Sequence, residues 1–148
     1  EYILVGYAKT NITPWKCARD VDEEVLRKEL HELLAQVNAF DKLILNTHCP
    51  PYNTTLDLAP MLDKDLKPVV SGGGIVYTHV GCVSVREVIE KYQPLLGLHG
   101  HIHESRGIER IGRTTIINPG SAYNEGVLYA ALIVLDKGKL KNVSMIKG

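Results

Sequence analysis

Residues Ser84 to Ser105, SVREVIEKYQPLLGLHGHIHES, decide the reading of the fold. Val85, Val88, Ile89 and Tyr92 recur at helical spacing, Ser84 and Glu87 stand at the separation of a capping box, and Pro94 stops the element. Leu95 to His99 then reads as a short apolar strand, and it delivers histidines at its C-terminal end. Helix, apolar strand, polar residues beyond the strand: this is the unit from which α/β proteins are built, and their sites lie where the polar residues fall. The same order stands upstream. Asp20 and Glu23 have capping-box spacing, and Leu26, Leu30, Leu33, Leu34 and Val37 gather on one helical face. Lys42 to Thr47 (KLILNT) follows as a buried strand that delivers His48. Before both units, Tyr2 to Ala8 (YILVGYA) is β-branched and aromatic enough for a strand, and Asn11 to Pro14 reads as a loop. The spacing therefore predicts an α/β fold, its sheet covered on at least one face by helices.

The C-terminal third differs. Gly107 to Ile111, Thr114 to Asn118, Val127 to Leu135 and Leu140 to Ile146 are strand-like, with Asp136 to Lys139 (DKGK) as a hairpin turn. Between the two helical units, the loop His48 to Asp57 carries Pro50 and Pro51, which forbid a helix, and Ser71 to Gly74 (SGGG) reads as a flexible connection. Glu24, Arg27, Lys28, Glu29 and Glu32 are predicted to form the solvated face of the first helix. There is no internal repeat.

Length and composition bound the function. A chain of 148 residues with 45% hydrophobic and 23% charged residues fits one globular domain, residues 1–148, and excludes collagen-like or disordered classes. Seventeen basic residues balance seventeen acidic ones, so nucleic acid is not expected as a partner except as a substrate. Cys17, Cys49 and Cys82 form neither a disulfide framework nor a Cys-x-x-Cys zinc motif, which fits a reducing, cytoplasmic setting. No apolar run approaches the roughly 18 residues of a membrane span.

The chemistry concentrates in Leu98 to Ser105, where His99, His101 and His103 alternate after a strand. If that segment is extended, all three imidazoles point one way. Neutral imidazoles in such an array suit zinc, iron, nickel or manganese, since each ring donates a nitrogen lone pair. His48, at the end of the other strand, is a further candidate ligand. His79, in the glycine-bearing stretch YTHVGC, is a candidate to reach a substrate phosphate. Asn118 to Ser121 (NPGS) is expected to buttress the site as a turn. Cys49 and Cys82 are expected to be buried and inert, and His31 to lie on the surface.

In their order and spacing, HCPPYNTTLD (48–57), GHIHES (100–105) and NPGS (118–121) resemble the calcineurin-like metallophosphoesterases, especially their smaller bacterial and archaeal members. The resemblance implies a sandwich of two sheets flanked by helices, and two divalent metal ions that share a hydroxide which attacks phosphorus. Two cations roughly 3.5 to 4 Å apart acidify the shared water and stabilise the developing phosphate charge. By the same resemblance, His48 and His101 match ligands of one ion and His103 a ligand of the other; His99 matches no ligand and is expected to be a supporting or surface residue. The family's earlier motifs, Asp-x-His, Gly-Asp-x-x-Asp and Gly-Asn-His-Asp or Glu, have no counterpart here. The chain thus resembles the C-terminal half of such a domain, and its opening inside a strand without a methionine agrees. The implied function is hydrolysis of phosphodiesters or phosphomonoesters, the remaining ligands coming from an N-terminal half of the domain or a neighbouring subunit, with a homo-oligomer as one arrangement. The alternative is a binding or scaffold module that keeps the fold without catalysis. Amidohydrolase-type metalloenzymes also use His-x-His, but on a first barrel strand with many β/α units after it, whereas mainly strand-like residues follow here.

Overall fold

The structure, a computed structural model, describes all residues from Glu1 to Gly148. In chain order its elements are β1 (Ile3–Tyr7), α1 (Glu23–Leu34), β2 (Leu43–Thr47), β3 (Leu58–Pro60), β4 (Val70–Ser71), β5 (Gly74–Ile75), β6 (Tyr77–His79), α2 (Val83–Tyr92), β7 (Leu96–Leu98), β8 (Gly107–Ile111), β9 (Thr114–Asn118), β10 (Tyr129–Asp136) and β11 (Lys139–Lys147). The fold is α/β. A five-stranded sheet runs in the order β1-β2-β7-β9-β8, parallel except for β8, which pairs antiparallel with β9.

Apolar periodicity explains how the helices sit. Leu26, Leu30 and Leu34 of α1 and Val85, Val88 and Ile89 of α2 are fully enclosed, in one cluster with Leu43, Leu45 and Ile116 of the sheet. Fully burying a Leu or Ile side chain contributes about 1.5–3 kcal/mol, so this cluster dominates the stabilisation of the half-layer. The two helices also touch each other. His31 Nδ1 lies 2.9 Å from the Tyr92 hydroxyl, so His31 bridges the helices and is not a free surface residue.

Neither expected capping box forms, and at α2 a long-range contact takes its place. The N-cap of α1 is Asp22, without a side-chain cap bond. Asp20 instead closes the preceding loop: one of its oxygens accepts from the Thr13 amide at 2.8 Å, the Thr13 hydroxyl at 2.5 Å and the Cys17 amide at 3.0 Å. The N-cap of α2 is Cys82, and here Glu23, from the first turn of α1, accepts from the Val83 and Ser84 amides, both at 2.9 Å. Ser84 spends its hydroxyl on Glu23, and Glu87 pairs with Arg27 at 2.7 Å. A carboxylate from the neighbouring helix thus satisfies donors that a local cap would have taken. The polar face of α1 is likewise not merely solvated, since Glu29 accepts from Lys9 and from the Tyr7 hydroxyl, both at 2.6 Å.

Ser71 to Gly74 is not a loose connection but the turn of the small β4–β5 hairpin. The long β10–β11 hairpin forms its own two-stranded sheet, turning at Lys137 and Gly138. Tyr2 accepts from the Gly138 amide at 3.1 Å, and Arg106 donates to the Ile146 carbonyl at 3.2 Å, which tethers that ribbon to the rest of the chain. None of its residues is fully buried.

Candidate functional site

β2 and β7 are parallel neighbours, so both release their next residues at the same end of the sheet. Three backbone bonds fix how they do so. His48 N donates to Tyr7 O at 3.0 Å, Gly100 N to His48 O at 3.0 Å, and His99 N to Ile117 O at 2.8 Å. The chain then turns sharply: Ile102 N donates to Gly100 O at 2.7 Å, and His101 takes a left-handed φ of 66°. The segment from His99 to His103 is therefore not extended, and its imidazoles do not point one way. The need to close hydrogen bonds at the strand end overrides the alternation.

The turn brings His101 to His48, whose Nε2 lies 3.1 Å from His101 Nδ1. Both rings are held below the usual histidine range. For His48 the causes are burial, then Arg19, then His103; for His101 they are burial, then His48, with Asp20 acting in the opposite sense. Two neutral imidazoles facing each other through ring nitrogens fit a shared cation. Nitrogens bound about 2.1 Å from one ion stand about 3.0 Å apart at a right angle and about 3.4 Å apart at a tetrahedral angle. No cluster of three or more His, Cys, Asp or Glu side chains close enough to hold a metal ion forms in this chain. His103 stays outside the pair, its ring edge-on to Tyr123 at 5.5 Å between centroids.

His99 is neither ligand nor surface residue. It is 6% exposed, with Nδ1 2.9 Å from the Thr47 hydroxyl, which itself donates to Cys49 O at 2.9 Å. The Thr47 proton being so used, the bond to His99 runs from Nδ1–H, and Nε2 is left buried without a partner. Burial lowers the pKa of this ring to about 3. His99 thus braces the strand end that carries His48.

Asn118 to Ser121 buttresses the turn, as expected. Asn118 is buried; its amide donates to Ile102 O at 2.9 Å, its carbonyl accepts from Gly120 N at 2.9 Å, and Ser121 N donates to His103 O at 3.1 Å. Cys49 and Cys82 are buried, as expected, and both thiols donate to the Asn11 side-chain oxygen, at 3.3 and 3.2 Å. The neighbouring thiol and burial push Cys82 far above the usual thiol range.

His79 is held by a residue that the sequence marked only as the last of the motif HCPPYNTTLD, without a role. Asp57, 0% exposed, approaches His79 Nδ1 at 2.7 Å and accepts from the amides of Asn53, Thr54 and Gly81. The pairing of β3 with β6 brings the two together, and strands of three residues leave too short a pattern to read. Arg19, near the facing histidines, was missed because its only signal was a polar, aperiodic loop, and Asp20 was read only as a helix cap. Beside His103 a cavity of about 470 Å³ opens, lined among others by Arg106, Tyr123 and Tyr129.

No protein-family profile matches the chain. It is similar to the uncharacterized protein MJ1162 of Methanocaldococcus jannaschii, 35% identical over 118 residues, which is 78% of this chain and 47% of that protein. A solved crystal structure superposes on 97% of this chain and 48% of its own, with a TM-score of 0.59 and 19% identity, and this likeness shows the fold alone. TT1561 of Thermus thermophilus overlaps 97% of this chain and 52% of its own at 20% identity and a TM-score of 0.47. The chain spans about half the length of each.

Proposed function

We propose that this chain forms part of a metal-dependent phosphoesterase of the metallophosphoesterase type, acting on phosphodiesters or phosphomonoesters. The observation that carries the reading is the facing pair, His48 Nε2 and His101 Nδ1 at 3.1 Å, offered by two parallel strands at one end of the sheet. Burial favours the neutral form of both rings, and in the tautomers that carry each ring proton on the outer nitrogen both facing lone pairs serve a divalent manganese, iron, nickel or zinc ion. His103, beyond the turn, is left for a second ion. Bound there, two such ions would acidify a shared water and offset charge on the phosphate. The chain's own part is to hold the donors. Thr47 and His99 brace the strand end under His48, and Asn118 pins the turn that carries His101 and His103. Within this reading His79 is assigned to the substrate phosphate.

With only two nitrogens converging, the remaining ligands belong to a segment or subunit outside these residues. Half coverage of the relatives, and the resemblance to a C-terminal half domain, support that arrangement. The test begins with manganese titrated into the chain and followed by calorimetry. Binding of one ion that His48→Ala and His101→Ala each weaken at least about 10-fold is expected, since loss of one of two nitrogen donors leaves a monodentate site. The full-length protein with manganese should then cleave an aryl phosphodiester. Metal binding untouched by both substitutions would sink the proposal.

A further inference from the structure

We propose that the chain carries an anion site at the end of the sheet opposite His48 and His101, where Arg110, Arg113 and Lys139 hold a phosphate dianion, free or as the end group of a small phosphomonoester.

The strand directions separate this site from the histidines. His48 and His99 follow the parallel strands β2 and β7, whereas Asp41, Leu95 and Arg113 stand just before β2, β7 and β9. A strand of five residues such as β2 spans roughly 16 Å, so the two sets lie on opposite rims of the sheet. On the strand-entry rim opens a cavity of about 480 Å³, lined by Arg110 and Arg113 from the β8–β9 hairpin and by Lys139 from the tip of β10–β11. One acid, Asp41, also lines it, which leaves an excess of two positive charges, the match of a phosphate dianion. None of the three cations is paired with a carboxylate, whereas Arg27 and Arg86 elsewhere in the chain pair with Glu87 and Glu90, both at 2.7 Å.

The two arginines are held, but by neutral groups. Arg113 Nε donates to Gln93 O at 2.9 Å, and Arg110 Nη2 makes a longer bond to Arg113 O at 3.4 Å, so both guanidinium groups are oriented while their charges stay uncompensated. The turn that presents them is locked as well. Arg113 N donates to Gln93 Oε1 at 2.7 Å, and the Thr114 hydroxyl to Pro94 O at 2.6 Å. Gly112 is required there, since its φ is 59° and a Cβ would stand 2.2 Å from Gln93 Oε1. An oriented guanidinium loses less freedom on binding, and its planar N–H donors fit phosphate oxygens.

The third cation arrives by another route. The β10–β11 ribbon turns through Lys137 and Gly138, at φ 48° and 76°, which sets Lys139 opposite Asp136 at the ribbon's tip. The bond from the Gly138 amide to the Tyr2 hydroxyl, at 3.1 Å, fastens that tip beside β1. Two hairpins that share no strand thus bring their cations to one cavity. Like charges gathered without a counter-ion repel one another, and a bound dianion relieves that cost. A basic surface that serves solubility alone has no need of locked arginines. The cavity is several times the size of a phosphate group and is lined also by Leu95 and Leu140, which suits a phosphomonoester with a short organic part. No metal and none of the histidines enters this site, so it stands independently of the phosphoesterase reading.

The test is a titration of inorganic phosphate and of glycerol phosphate into the metal-free chain, at an ionic strength held constant with chloride and followed by nitrogen-15 NMR. Saturable shifts confined to the amides of residues 110–115 and 137–140 are expected, with those of His48 and His101 unmoved. Arg110→Gln and Arg113→Gln should each weaken binding about 10-fold, as loss of a charge-assisted bond does. Asp41→Asn should tighten it about 3-fold, a gain that damage to the fold would not produce. The same spectra report whether each variant is folded. Tighter binding of glycerol phosphate assigns the site to phosphomonoesters, and equal binding assigns it to free phosphate. Shifts that do not saturate, that chloride alone reproduces, or that both arginine substitutions leave unchanged overturn the proposal.

Discussion

Gly97 has no room for a side chain because His99 folds back over it; a Cβ there would lie 2.7 Å from His99 Nε2 and 3.0 Å from an Ile116 methyl. The imidazole is packed like an apolar ring, and the cost appears as pH dependence. Its folded pKa, about 3, lies below the unfolded value of about 6.5, so the unfolded chain takes up a proton that the folded chain refuses. The contribution to stability is therefore complete above about pH 6.5 and is lost as the pH falls towards 3. His48 and His101 are shifted in the same sense and add to the loss. Urea unfolding at pH 7 and pH 5 should show a decline of about 2 kcal/mol attributable to His99 alone, at about 1.4 kcal/mol per pH unit. In His99→Leu that share of the decline should vanish; an unchanged decline would refute the assignment.

The two helices are joined less by their backbones than by Glu23, whose carboxylate closes the N-terminus of α2 from the first turn of α1. Glu23→Ala should cost about 1–2 kcal/mol, as loss of a cap does, and a double-mutant cycle with Ser84→Ala should show coupling above about 0.5 kcal/mol. Additive effects would mean that the cap is not shared. This element shows what sequence conveys and what it withholds. The leucine stripe of α1, the short strands ending at His48 and His99, and the terminal hairpin were legible because each has a period. The capping residues were misassigned because their spacing is local, whereas the donors that Glu23 satisfies lie on the other helix, 60 and 61 residues along the chain. Within the site, His48 and His101 were legible as a pair. Their turn was not, because a left-handed φ at a non-glycine residue carries no signature. Asp57 was visible only as one residue of a motif, since its partner arrives through strands too short to announce themselves.

Taken whole, the molecule has one well-filled layer and a poorly covered remainder. β1 is an edge strand whose Leu4 is 68% exposed, and Leu132, Val134 and Ile146 lie open on one face of the β10–β11 ribbon. Open edges and apolar faces of this kind pair with other chains. Sedimentation velocity on the chain alone should show mass rising above 16.4 kDa with concentration. Leu4→Lys, Leu132→Lys and Val134→Lys together should hold it at the monomer. A wild-type chain monomeric at all concentrations would show that these surfaces are self-sufficient.

The strand order has a consequence for assembly in time. Along the parallel series, each strand pairs with the one made just before it: Ile3 with Leu43, Ile44 with Leu96, and Leu96 with Thr115. No parallel strand must wedge between two already joined. Because closure entropy grows only slowly with loop length, these three closures cost comparable amounts, and none must wait for a distant C-terminus. Only the antiparallel edge strand β8 is made out of order, ahead of the β9 that separates it from β7, and the turn that carries His101 to His48 is pinned only once Asn118, at the end of β9, has docked.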